Sequence, residues 1–239
     1  MSTVAVAIVC KTPTPGQSKT RLSPPLRPEE CAALSACFIR DLSVTVQALA
    51  DEGDAIGYAL YTPRGSEAAL RPLLPERFRL MLQGEGDLSA RLVKGTTDLL
   101  AAGHAGAILL NSDSPTLPKA ILRAAVDAVR QGDNIVLSPA FDGGYTLIGL
   151  SRPHAGVFAD IPWSTGEVYR LTLARAGELG RPVVNVPSWY DVDDATSFAM
   201  LEAELDGQRP AFAERILVGA DARATRQFLR TRRSAPAQQ

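Results

Sequence analysis

The chain has 239 residues, 46% of them hydrophobic and 21% charged, with a formal net charge of -1. That length suits one large α/β domain with a full core, and the balanced charge gives no footing for nucleic acid or an anionic membrane as a partner. Cys10, Cys31 and Cys37 form no even framework and read as reduced packing residues of a cytoplasmic protein. No apolar run reaches the ~18 residues of a membrane span, and Ser2-Thr3 lacks the basic start of a signal peptide.

Val4-Ala5-Val6-Ala7-Ile8-Val9 opens the chain as a continuous apolar run, which predicts a central parallel strand. A polar, proline-rich loop follows from Lys11 to Pro28. Pro28-Glu29-Glu30 then starts a helix that runs to about Leu49, with proline and acids in its first turn. Strands are expected over Ala55–Tyr61 and Phe78–Leu82, a helix over Leu88–Ala102 and a strand over Ala107–Leu110. A helical pattern spans Leu117 to about Arg130. Strands follow at Ile135–Ser138 and Tyr145–Ile148, a helix at Glu167–Leu179, a last core strand at Val183–Val186 and a helix at Ala195–Leu205.

Alternating strands and helices predict a mostly parallel sheet covered on both faces. Asp142-Gly143-Gly144 predicts one antiparallel hairpin near its edge. The segment Arg209–Arg233 carries seven arginines and reads as a helix with a solvated face. The tail Ser234–Gln239 is expected to be disordered. We read residues 1–205 as the main domain and 206–239 as its helical extension and tail.

Asn111-Ser112-Asp113-Ser114-Pro115 is the most informative stretch. It sets Asp113 at the carboxyl end of a strand, where open α/β sheets bind ligands. A second acidic knot, Tyr190-Asp191-Val192-Asp193-Asp194, ends the strand-like run Pro182–Trp189. Carboxylates on separate strand ends can hold one hard cation, which commonly neutralises substrate phosphates. On structural grounds alone, Ser114 would cap a helix begun by Pro115, and Asp191 or Asp193 would cap the helix at Ala195. Three acids in four residues exceed what a cap requires, and a cation would relieve their repulsion.

Lys11-Thr12-Pro13-Thr14-Pro15-Gly16-Gln17-Ser18-Lys19-Thr20-Arg21-Leu22 puts three cations directly after the first strand. A P-loop fails here, because its first glycine would fall at Lys11. No GxGxxG supports a dinucleotide site. The loop is either a solvated surface segment or a grip in which backbone amides, Lys19 and Arg21 hold a polyphosphate. His104 and His154 lie outside every motif and read as ordinary surface residues. No Cys/His cluster supports zinc, and no Gly-x-Ser-x-Gly elbow supports a hydrolase.

The pattern Lys11–Leu22, with Gln83-Gly84-Glu85-Gly86-Asp87-Leu88, Asn111–Pro115, Phe141-Asp142-Gly143-Gly144-Tyr145, Pro162-Trp163-Ser164-Thr165 and Asp191-Val192-Asp193, resembles the DUF2064 family, also called selenodomain-associated transferase 1. The resemblance covers roughly residues 3 to 205. It implies a GT-A-type, Rossmann-like fold of the nucleotide-diphospho-sugar transferase superfamily, similar to the guanylyltransferases that activate phospholactate or phosphoenolpyruvate.

Carried over position by position, the resemblance implies Asp113, Asp191 and Asp193 as ligands of Mg²⁺ or Mn²⁺, with Asn111 standing where an Asp-x-Asp motif has its first acid. It implies Lys11, Pro15, Gly16, Lys19 and Arg21 at the donor phosphates, with Lys19, Arg21 and Asp113 the catalytic set. Gln83, Gly84, Gly86 and Asp87 would line base and ribose. Asp142, Gly143, Gly144, Tyr145, Trp163, Ser164 and Thr165 would line the acceptor. Read on their own residues, Asp142-Gly143-Gly144 is equally a hairpin turn, Trp163 equally core, and Ser164-Thr165 equally a helix cap.

The expected function is a metal-dependent transferase that moves a glycosyl group from a nucleotide sugar to a small acceptor. The alternatives are transfer of a nucleoside monophosphate from a triphosphate to a phosphorylated acceptor, and a non-catalytic nucleotide-binding domain.

Overall fold

The first strand alternates large and small side chains, and that alternation sorts the molecule into two layers. In a computed structural model that describes residues 3–213 and 216–234, β1 (Val4–Lys11) sends Val4, Val6, Ile8 and Cys10 into one core and Ala5 and Ala7 into the other. The side with the larger residues is covered by α1 (Pro28–Ala50). The chain continues through β2 (Ala55–Thr62), the single turn α2 (Glu67–Leu70), β3 (Arg79–Leu82) and α3 (Leu88–Ala101) to β4 (Gly106–Asn111). Next come α4 (Lys119–Arg130), β5 (Ile135–Pro139), β6 (Tyr145–Leu150), α5 (Val168–Glu178), β7 (Val183–Asn185), α6 (Ala195–Leu205) and α7 (Arg223–Ser234). Helices α1, α4, α6 and α7 pack on one face of the sheet, α3 and α5 on the other.

Among the described residues, seven strands lie in the order β3-β2-β1-β4-β6-β5-β7. All neighbours pair in parallel except β6, which runs antiparallel to both β4 and β5. The fold is therefore the expected α/β sheet with helices on both faces and one antiparallel hairpin. The hairpin β5–β6 lies near one edge of the sheet, as expected, with only β7 beyond it. One detail differs from the sequence reading: β7 is the edge strand, three half-buried or exposed residues long, rather than a core strand.

Three helix starts also differ. Ser114 does not cap a helix: Leu117 N donates to Ser114 O in a turn, and α4 begins at Lys119 after Pro118. Thr165 accepts from Glu167 N through Oγ1 at 3.3 Å, but α5 starts at Val168 with Glu167 at its cap position. Asp194, not Asp191 or Asp193, caps α6, its Oδ1 accepting from Ser197 N at 2.8 Å.

α1 is long and apolar enough by composition to cross a membrane, which a count of uninterrupted apolar residues misses because Arg40 and Asp41 interrupt it. Here it is the core helix, with Leu34, Phe38, Leu42, Val46 and Leu49 fully buried. All three cysteines are free. Neither histidine is a plain surface residue: half-buried His104 bonds Thr3 Oγ1 and Tyr58 OH, and His154 Nε2 lies 2.6 Å from Asp133.

The C-terminal segment is tied to α1 by a buried carboxylate. Asp41 accepts from Ala224 N and Thr225 N, each at 2.8 Å, and so serves as the cap of α7 from a distant helix. The helix has the expected solvated face, and several of its arginines are also paired: Arg223 with Asp221, Arg233 with Glu202 and Asp206, and Arg232 with Glu30. Of the tail expected to be disordered, Ser234 ends α7 and residues 235–239 lie outside the described residues, as does Arg215. Asp41→Ala should lower stability by about 1–2 kcal/mol, because two backbone donors lose a charged acceptor. Urea denaturation of wild type and variant would measure this.

Candidate active site

The loop after β1 is shaped by its own backbone. Gln17 N and Ser18 N donate to Thr14 O, and Thr14 N donates to Ser18 Oγ. The chain leaves this turn with Lys19 in the left-handed region, φ 50°, uncommon for a non-glycine residue and often found at functional sites. The side chain goes inward and is 6% exposed. Its Nζ lies 2.7 Å from Asp113 Oδ1 and 2.8 Å from Asp193 Oδ1, and donates to Val192 O at 2.6 Å. Burial pushes the Lys19 pKa down, but attraction to Asp113 and Asp193 overrides it and the net shift is upward. Lys19 is thus a fixed positive charge that joins three chain segments.

The acidic side is organised by Asn111 at the end of β4. Asn111 Oδ1 accepts from Asp113 N and Ser114 Oγ, turning the strand end back on itself, and Nδ2 reaches Asp191 Oδ2 at 3.4 Å. Val192 N donates to Asp113 O, which fixes the late acidic segment against the end of β4. Asp142, Asp191 and Asp193 each offer a carboxylate oxygen, all within 4.8 Å of one another. Burial pushes the Asp191 carboxyl up to about 7, and the charges of Asp142, Asp193 and Asp113 add to the shift. Burial likewise raises Asp113, against the pull of Lys19.

The sequence grouped Asp113 with Asp191 and Asp193. The structure brings Asp142, expected at the acceptor, to those two acids, and links Asp113 to Asp193 through Lys19. Three clustered carboxylates are hard oxygen donors whose repulsion a divalent ion would relieve, so the set fits Mg²⁺ or Mn²⁺.

Two cavities open on this cluster. One, of about 260 Å³, is lined by Lys11, Gln17, Ser18, Lys19, Thr20, Arg21, Ser35, Ser112, Asp113 and Asp193. The other, of about 290 Å³, is walled by Val9, Leu88, Leu92, Leu109, Ile148 and Val168 with Tyr145 and Trp163, and has Asp142, Asp191 and Asp193 at its polar side. Ser112, Asp113 and Asp193 belong to both. Lys11, Lys19 and Arg21 therefore share a cavity, as do Asp142, Gly144, Tyr145, Trp163, Ser164 and Thr165. Pro15 and Gly16 are exposed in the turn beside the first cavity and do not line it.

The residues around 83–87 are otherwise engaged. Gln83 is buried, its Nε2 donating to Cys10 O and Leu60 O, and so stitches β1 to β2. Asp87 Oδ1 accepts from Ala90 N and caps α3. Gly84 and Gly86 take φ of +92° and +96° in the turn between them, and none of these four lines either cavity. Gly143 has a steric role: φ is +87°, and a Cβ there would lie 2.2 Å from Gly166 O. Trp163 is half-buried and held by a 2.9 Å bond from Nε1 to Ser89 Oγ and by edge contact with Tyr145. Neither Ser89 nor the acid-holding role of Asn111 is visible in the sequence, because their partners lie 74 and 80 positions away.

A family model described as "Uncharacterized protein conserved in bacteria (DUF2064)" matches residues 45–165. The chain belongs to the DUF2064 family. The matched span contains Asn111–Asp113 and Asp142–Tyr145 and leaves Lys19, Asp191 and Asp193 outside it. No curated protein matches the chain.

Among solved structures, a Desulfovibrio desulfuricans G20 protein provisionally named a nucleotide-diphospho-sugar transferase is 26% identical. Its TM-score is 0.80, and the match covers 98% of this chain and 96% of that one. CMP:2-keto-3-deoxy-manno-octonic acid synthetase in complex with CTP is 12% identical, with a TM-score of 0.54 over 87% of this DUF2064 chain and 100% of that one. A cytidylyltransferase from Leptospira borgpetersenii serovar Hardjo-bovis is 11% identical, with a TM-score of 0.53 over 100% and 99% of the two chains. The last two show the fold alone.

Removing the buried ammonium should expose what it balances. Lys19→Met is expected to cost about 1–3 kcal/mol, with the part owed to half-exposed Asp193 discounted for solvent screening. Thermal denaturation reads this, and an unchanged melting temperature would refute the bridging role. Asp191→Asn should act oppositely in metal-free protein. The wild-type carboxyl has a folded pKa of about 7, above the ~3.9 of an unfolded aspartate. Its stabilising proton is present at low pH and lost as pH rises through 7. The variant should therefore melt higher than wild type at pH 8, with the gap shrinking by pH 5, and should lose most of any Mn²⁺-induced stabilisation.

Proposed function

We propose that this protein is a transferase that uses a nucleotide-activated donor, moving a glycosyl group from a nucleotide sugar to a small acceptor in the cytoplasm. One observation carries the reading: a cavity with three cations and a cavity with apolar walls meet at the same acidic cluster, sharing Ser112, Asp113 and Asp193. Donor phosphates fit the first, where Lys11 and Arg21 offset their charge and Lys19 holds Asp113 and Asp193 at the cavity wall. The 26%-identical Desulfovibrio protein, with its provisional nucleotide-diphospho-sugar transferase name, supports the same class.

Asp142, Asp191 and Asp193 would hold Mg²⁺ or Mn²⁺, which would supply neutralisation of phosphate charge. In this reading Asp113 positions Lys19 rather than acting alone. Covalent catalysis by cysteine finds no support: burial raises all three thiols, Cys10 to about 12 and Cys37 to about 11. The histidines are bonded elsewhere and line neither cavity. What these side chains offer is positioning and charge stabilisation.

A second reading is nucleotidyl transfer, favoured by the three cations around one cavity, a number suited to a triphosphate. The non-catalytic alternative predicts nucleotide binding that is independent of metal and unaccompanied by turnover.

Thermal-shift titration with nucleoside triphosphates and nucleotide sugars, each with and without Mn²⁺, separates these. Metal-dependent stabilisation by one nucleotide sugar and its nucleoside diphosphate is the expected result, and Asp193→Ala should reduce it at least tenfold in apparent affinity. Response to a triphosphate alone would move the reaction to nucleotidyl transfer, and no response to any nucleotide would refute the proposal.

A further inference from the structure

We infer that the acceptor is an uncharged or cationic molecule with an apolar body, an alcohol or amine rather than a phosphorylated or carboxylated compound. This rests on the donor reading above and concerns the second cavity, which that reading leaves to the acceptor.

The walls of that cavity come from five elements and a loop, with Val9 contributed by β1. Leu88 and Leu92 lie on α3, Leu109 on β4, Ile148 on β6 and Val168 at the start of α5, with Trp163 from the loop before it. Leu92, Leu109, Ile148 and Val168 are buried, so these walls are preformed by the core rather than by surface side chains. Trp163 cannot swing freely, since Ser89 holds its indole nitrogen. Such walls reward hydrocarbon or ring surface.

The charged groups of the cavity have one sign, beside neutral polar side chains such as Asn111, Ser164 and Thr165. Asp113, Asp142, Asp191 and Asp193 line it, and among the described residues no lysine, arginine or histidine does. The nearest buried cation, Lys19, is already bonded to Asp113, Asp193 and Val192 O and lines the other cavity. Even with a divalent ion held by Asp142, Asp191 and Asp193, three carboxylates against two positive charges leave no excess positive charge to attract an anionic acceptor. A hydroxyl or ammonium would instead donate hydrogen bonds to these carboxylates. The volume of about 290 Å³ suits a molecule the size of a ring with a short chain. Of the two transfers, this favours an alcohol or amine acceptor over the phosphate acceptor of nucleotidyl transfer.

The test is saturation-transfer NMR on the full chain at pH 8, in EDTA and again in Mg²⁺, with three probes of equal body: 2-phenylethanol, 2-phenylethylamine and 2-phenylethyl phosphate. The alcohol and amine should bind, with the phosphate at least tenfold weaker in EDTA. Leu88→Trp, at the exposed rim, should abolish the signals, and Asp142→Asn should narrow the discrimination against the phosphate. Leu92→Phe provides a second blocking variant should the first misfold.

Equal or tighter binding of the phosphate in EDTA would overturn the inference. So would binding that neither blocking variant disturbs, or displacement of the alcohol by free nucleosides, which would make the cavity the donor's base site. Probe binding lost while Mn²⁺-dependent nucleotide shifts persist would sink this inference and leave the donor reading standing. Probe binding without any nucleotide shift would remove the donor reading, and with it the acceptor role of the cavity.

Discussion

The buried Lys19 ammonium between Asp113 and Asp193 is the contact on which the candidate site depends. It joins the loop after β1, the end of β4 and the segment before α6, three stretches spanning more than 170 positions of chain. A buried charge is costly unless it is paired and hydrogen-bonded, so this ammonium pins its partners as firmly as they pin it. Val192 contributes from both sides of its peptide: its carbonyl accepts from Lys19 and its amide donates to Asp113 O. The acidic cluster and the cationic cavity are therefore one electrostatic unit with two faces.

The sheet explains why these segments can meet. β1 and β4 are parallel neighbours, so Lys11 and Asn111 leave the sheet at the same edge. β6 enters antiparallel beside β4, which brings its start, and the loop carrying Asp142, to that edge as well. A wholly parallel sheet would deliver the ends of strands there and not a beginning. The inserted β6 is what adds Asp142 to Asp191 and Asp193. Gly143 and Gly166 then pack so closely that the hairpin loop is seated against the loop leading into α5, with Tyr169 N donating to Gly143 O.

The DUF2064 sequence reads well where local physics decides. Apolar runs marked β1, β2, β4, β5 and β6, and Pro28-Glu29-Glu30 marked the start of α1, because strand burial and helix-end chemistry are written in neighbouring residues. The capping assignments failed at Ser114 and shifted at Thr165 and in the late acidic knot. Several polar residues stood close enough to cap in each case, and tertiary partners chose among them: Asn111 engaged Ser114, while Asp194 took the cap of α6 and left Asp191 and Asp193 for the cluster. Gln83 and Asp87 are motif residues with structural partners of their own. Motif membership alone does not separate the two kinds of role.

The sequence by itself determined the order and type of the main elements, the presence of a cationic loop after the first strand and the presence of acids at two strand ends, since each follows from periodicity and composition within a few residues. Only the tertiary structure decided which acids stand together, that Lys19 turns inward to hold two of them and that an apolar cavity without a cation opens beside them. Those facts depend on strand order, on one antiparallel insertion and on contacts between residues 74 to 174 positions apart. Electrostatic and packing energies act over ångströms in space, and nothing in the spacing along the chain records which distant groups will come within that range.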